Sequence, residues 1–109
     1  MFVIEQKSKK IILTRGDTAS MLVEVQDING NKYEFEEGDI ITFTMRKSPK
    51  SEIALQVIAD ENHYVVFAPE DTSGLDTGLY VYDVQLRSGD NIYTIVPMSF
   101  FELRNEVTY

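Results

Sequence analysis

Apolar residues in this chain recur at every second position, and no stretch of about ten residues or more carries the 3.6-residue period of a helix. Ile41, Phe43 and Met45 alternate with Thr42, Thr44 and Arg46. Tyr80, Tyr82, Val84 and Leu86 alternate with Val81, Asp83 and Gln85. A period of two turns successive side chains to opposite faces of a strand, so each run can bury one face and wet the other. β-branched and aromatic residues, which suit a pleated and half-buried surface, dominate these runs. The pattern confines the chain to the all-β class.

The runs predict strands over 10–14, with an extension back to Phe2-Val3-Ile4, and over 18–27, 32–36, 40–47, 64–68, 78–87, 92–96 and 99–103; Ile53, Leu55 and Val57 mark one more. In the second run Ala19, Met21, Val23 and Val25 share a face, with Leu22 out of pattern. Turn chemistry separates the runs. Arg15-Gly16-Asp17, Gly38-Asp39 and Ser88-Gly89-Asp90-Asn91 reverse the chain, and Asn29-Gly30 is the strongest hairpin signal because both residues tolerate positive φ. Ser48-Pro49-Lys50 and Pro97 interrupt runs, since proline cannot donate to a ladder. Residues 69–75 read as a short helical turn, with Pro69 at its start and Gly74 as terminator. About seven to nine short strands at this spacing predict an immunoglobulin-like antiparallel β-sandwich, and the 109 residues suffice for one domain over 1–109.

The 10 basic and 18 acidic side chains leave a net charge of −8. That charge repels nucleic acid and anionic lipid, so neither is an expected partner. Lys7, Lys9 and Lys10 form the one basic cluster and read as a solvated edge. The absence of cysteine excludes a disulfide framework, a zinc–thiolate site and thiol catalysis, and leans towards a reducing cytoplasm. The opening segment lacks an apolar core of the export-signal type, and no run approaches the ~20 apolar residues of a spanning helix.

Each chemical motif has a structural counterpart that fits better. Arg15-Gly16-Asp17 matches the tripeptide read by integrin-type receptors, but a tight link between strands gives Gly16 and Asp17 ordinary turn roles. The acids Glu34, Glu36, Glu37 and Asp39, and Glu70, Asp71 and Asp76, lack the spacing of a calcium loop. A pair of them acting on a sugar needs a cleft that a domain this small seldom has. His63 has no recognisable nucleophile or orienting partner and is expected in an exposed loop. The dispersed glycines form no phosphate loop. Tyr80, Tyr82 and Tyr93 are expected in the core; as an exposed row they would instead suit a carbohydrate- or surface-binding module. No catalytic, cofactor or metal residue is assigned.

Several phrases occur in a suggestive order: Leu13-Thr14-Arg15-Gly16-Asp17-Thr18, residues 27–30, then Asp39-Ile40-Ile41-Thr42-Phe43-Thr44-Met45-Arg46-Lys47. Asp71-Thr72, Leu75, Gly78-Leu79-Tyr80-Val81-Tyr82-Asp83-Val84-Gln85-Leu86, Thr94-Ile95, residues 100–103 and Val107-Thr108 follow. This series resembles the N-terminal domain of the upper baseplate protein of tailed bacteriophages and small prophage structural proteins like it. The resemblance implies a β-sandwich that joins virion parts through protein–protein contacts, with no enzyme activity and no cofactor. It implies other virion proteins as partners, homo-oligomers among them, and passage from the host cytoplasm into the virion. The baseplate protein continues into a long receptor-holding portion that residues 1–109 do not include, so a small adaptor or accessory role is the expectation.

Overall fold

The computed structural model describes residues 1–5, 7–26 and 29–105. Eight strands and one short helix follow in order: β1 (Phe2–Ile4), β2 (Ile11–Thr14), β3 (Ala19–Leu22), β4 (Ile40–Arg46), β5 (Ile53–Ile58), β6 (Tyr64–Phe67), α1 (Pro69–Ser73), β7 (Gly78–Ser88) and β8 (Asn91–Arg104). Six strands form one sheet in the order β1-β2-β8-β7-β4-β5, and β3 and β6 form a second. The all-β class follows directly.

The alternating residues decide where the core sits. Ile41, Phe43 and Met45 of β4 and Tyr80, Tyr82, Val84 and Leu86 of β7 are buried in the large sheet, facing Ala19, Met21, Val65 and Phe67 of the small one. Phe43 is the hub. Its ring meets Phe67 edge-on at 5.0 Å, stacks on Tyr82 at 5.2 Å and approaches Phe101 at 6.0 Å. Edge-to-face contacts of this kind add to the hydrophobic gain of burying the rings. Among the described residues no buried side-chain nitrogen or oxygen lacks a hydrogen-bond partner.

The pairing is not wholly antiparallel as expected. β2 runs parallel to β8, with Ile11 beside Phe101 and Thr14 beside Arg104, while β1 closes the sheet border antiparallel to β2. Alternation determines which face a strand buries but leaves its neighbours open, so this parallel pair was invisible to the pattern. Phe2–Ile4 is therefore a separate strand, turned back at Lys9 with φ 60°, and not an extension of β2.

Two expected strands are shorter or missing. Only Ala19–Leu22 of the 18–27 run joins a ladder; Asp27 lies outside the described residues. Val23 and Val25 keep their inward face, but regular pairing stops. The 32–36 run forms no strand, holding on through a Gln26–Lys32 bridge and a Tyr33 N–H to Val25 C=O bond of 2.8 Å.

The two last runs, by contrast, merge. β8 passes through Pro97 because the ladder with β7 shifts there: Tyr82 pairs with Ser99 and Val84 with Val96, so Pro97 and Met98 together oppose Asp83. A second shift, between Val84 and Gln85, leaves Ile95 as an extra residue. Proline is tolerated at a bulge because the ladder is already interrupted there. With 11 and 14 residues, β7 and β8 are not short strands, and their hairpin lengthens the molecule to 48 Å against 28 and 26 Å.

Candidate functional site

Early loss of pairing in one strand and late continuation of another leave a gap along one side of the two sheets. β2 borders β8 only from Phe101 to Arg104. Further up, beside Asn91–Met98, β8 has β7 on one side and, among the described residues, no backbone partner on the other. Across the gap lies the irregular Val23–Gln26 segment.

A groove of about 480 Å³ fills the upper part of this gap, floored by Val25, Leu86 and Ile95 and flanked by Tyr33 and Tyr93. A smaller hollow of about 290 Å³ continues it downward past Val23, Tyr82 and Val96 to Ile4 and Lys9. The two meet at Glu24 and at the Ile95–Val96 step. Tyr93 pairs with Leu86 and so stands on the core-facing side, yet 51% of it is exposed because nothing covers this end. The lower end is tied: the Tyr82 hydroxyl donates to the Lys9 carbonyl, and burial pushes that phenol up from 10.0 to about 12.

Charge is uneven along the groove. Glu24 stands where the two hollows meet, and Glu34 and Lys32 share an adjoining hollow with Tyr33 and His63. Asp39 accepts from the Tyr33 hydroxyl at 2.9 Å and from the Glu36 N–H at 2.9 Å. The backbone bond from Glu36 is the main reason its carboxyl is held below the usual range. Lys9 marks the lower end.

The other sequence-level candidates sit elsewhere. Arg15-Gly16-Asp17 is a pinned turn. Arg15 Nη1 donates to the Leu75 carbonyl at 3.2 Å, and Gly16, at φ 84°, donates its N–H to the buried Thr72 Oγ1 at 2.9 Å. The Asp17 carboxylate accepts from the Met1 amine at 2.6 Å rather than from the backbone beyond it. Bonds from both sides remove the mobility a recognition loop needs. Like Asp39, Asp71 has a structural use: it accepts from the Ala68 N–H at the start of α1, at 2.8 Å. Among the described residues no three His, Cys, Asp or Glu side chains gather to hold a metal ion.

His63 is half-buried, not the exposed loop residue expected. It stacks on Phe35 with ring centroids 3.7 Å apart and holds φ 68° at the end of the β5–β6 turn. Its carbonyl accepts from the Val23 N–H at 2.9 Å, which fixes the wall of the groove. Tyr80 and Tyr82 are buried as expected; the Tyr80 hydroxyl donates to the Asp76 carbonyl at 2.6 Å. Tyr93 is not in the core. The one signal for its exposure was Pro97, which demotes a run to an edge.

Apolar residues also remain on the outer faces. In the large sheet Leu79, Val81 and Phe100 lie together opposite the core, with Glu102 between Leu79 and the Ile12–Val3 pair; Leu79 is 49% and Phe100 53% exposed. The ion pairs of Glu102 with Lys10, at 3.2 Å, and with Arg104 lie in the same face. In the small sheet Leu22, Tyr64 and Val66 face outward.

Compared with family models, curated proteins and solved structures, the chain matches none of them.

Proposed function

We propose that this protein is a non-enzymatic structural or adaptor component of a tailed-bacteriophage or prophage particle, associated with its tail or baseplate and working through protein–protein contacts. The observation that carries the protein-binding part is the apolar cluster of Leu79, Val81 and Phe100 on the outer face of the large sheet, with Ile12 and Val3 on the far side of the Glu102 ion pairs. Contiguous exposed apolar side chains mark interaction surfaces, because a monomer gains nothing by keeping them wet. The phage assignment rests on the ordered series of strand and turn phrases that resembles the baseplate domain. An immunoglobulin-like arrangement belongs to the same proposal. Two facing sheets with alternating inward residues support it, although the split is six and two where a constant-type domain has four and three.

The deciding experiment is induction of prophages in the bacterium that carries the gene, purification of particles and mass spectrometry of their proteins. The protein is expected at a fixed copy number per particle. Well-formed particles without it, while it remains abundant in the cell, would overturn the assignment.

A further inference from the structure

Resting on the protein-binding reading above, we propose that the gap beside the upper half of β8 is a strand-acceptor site. It takes an extended segment of another protein, with alternating apolar residues and opposite charges at its two ends, as an added strand in line with β2.

Three independent features converge on it. The first is backbone chemistry. A strand edge presents N–H and C=O groups at every other residue, and beside Asn91–Met98 these have no backbone partner among the described residues; the Pro97 carbonyl alone is taken, by Ser99 Oγ at 2.8 Å. Proteins usually blunt such an edge with charges, brevity or a covering segment. Pro97 blunts only the lower end of this one, and Ile92, Tyr93, Thr94 and Ile95 carry no charge. The second is the position. β2 already lies beside Phe101–Arg104, and the chain leaves that line at Lys9 to form β1. The vacancy is the continuation of an existing strand row, about 25–30 Å long for eight or nine residues.

The third feature is the floor. Val25, Leu86 and Ile95, continued by Val23 and Val96, lie beneath the vacancy, so every second residue of an added strand would meet apolar surface. The main-chain bonds would supply affinity, and the floor would select the side chains. Charge states the occupant further. Around Tyr33, at the upper end, Glu34 and Asp39 outweigh Lys32, and Lys9 stands at the lower end, so the segment carries a basic residue at the first and an acidic one at the second. A second copy of this chain is disfavoured by its net charge of −8.

The test uses synthetic peptides of about nine residues alternating valine and threonine, with lysine at one end and glutamate at the other, in both orders. These are titrated into the ¹⁵N-labelled protein. One order is expected to shift and protect amides within 91–99 and 23–26, with half-saturation below about 1 mM. Methylating alternate peptide nitrogens, so that no N–H faces β8, is expected to weaken binding at least about tenfold, as is Tyr93→Lys at the exposed mouth. The unliganded spectrum of Tyr93→Lys verifies its fold.

Three results would overturn the site: no shift of these amides with either peptide, undiminished binding of the methylated peptides, or protection of the same amides by self-association alone. Particle composition is measured separately. A protein found in particles that binds no strand loses only this site, whereas a strand-binding protein absent from particles loses only the phage assignment.

Discussion

Tyr82 shows how much one side chain can be asked to do. Its ring packs between Phe43 and Phe101, its hydroxyl holds Lys9, and only 3% of its surface is exposed. Tyr82→Ala should therefore cost about 3–5 kcal/mol, measured by urea denaturation. The phenol adds a pH dependence. Folding raises its pKa from 10.0 to about 12, so above pH 10 the unfolded chain gives up its proton first. Stability from this group is complete below pH 10 and lost as pH rises to 12, on the order of 2–3 kcal/mol. The slope of denaturation midpoint against pH between 10 and 12 should be shallower in Tyr82→Phe; identical slopes would show that the phenol is not the group responsible. Thr72 is the one fully buried polar residue among those described, and it accepts from Gly16. Thr72→Val strands that N–H and should cost about 1–3 kcal/mol by the same assay. Tyr80, Tyr82, Val84 and Leu86 were legible as core from alternation alone. The stack of His63 on Phe35 was not, because it joins a turn to a segment that forms no strand and so leaves no periodic trace.

Elements were legible where the period had a partner to act on. β4 and β7 agree with the expectation almost to the residue, since each is flanked on both sides and buries one face. The 32–36 run has the same alternation and forms no strand, because among the described residues its backbone meets only the irregular Val23–Gln26 segment and the Asp39 turn, not a strand. Val107 and Thr108, phrases of the resemblance, lie outside the described residues. α1 was legible through Pro69 and Gly74. Its entry is secured by the carboxylate of Asp71 reaching back to the Ala68 N–H, one half of a capping box. Asp71→Ala should lower stability by about 0.5–2 kcal/mol, with the denaturant midpoint as the readout and the helix start as the site of faster amide exchange. Pro97 was read as the end of a strand and is instead a bulge within one; proline reports an interrupted ladder, and the pairing beyond it depends on β7.

For the whole molecule the outer sheet face is the property open to direct test. Phe100→Glu alters a side chain that is 53% exposed, so its stability should stay within about 0.5 kcal/mol of the parent. If that face carries contacts within a particle, the variant protein should be folded in the cell and depleted from purified particles. Incorporation at the parental copy number would show that the contacts lie on another face. The groove was not legible in advance. It arises from what two distant stretches of chain fail to pair with, and single-sequence patterns record pairing capacity, not vacancy.

The parallel pair of β2 and β8 also governs when the protein can be completed on the ribosome. Ile11 is made long before its partner Phe101. Until β8 has left the exit tunnel, β1 and β2 can close on each other but have no large sheet to join. The β4–β5 hairpin, by contrast, is whole as soon as Ile58 emerges. Contacts between such remote stretches slow folding, since a long loop must close before they contribute. The nascent chain therefore keeps Ile11 and Leu13, both fully buried in the finished protein, open to solvent and to chaperones throughout the interval between synthesis of β2 and of β8.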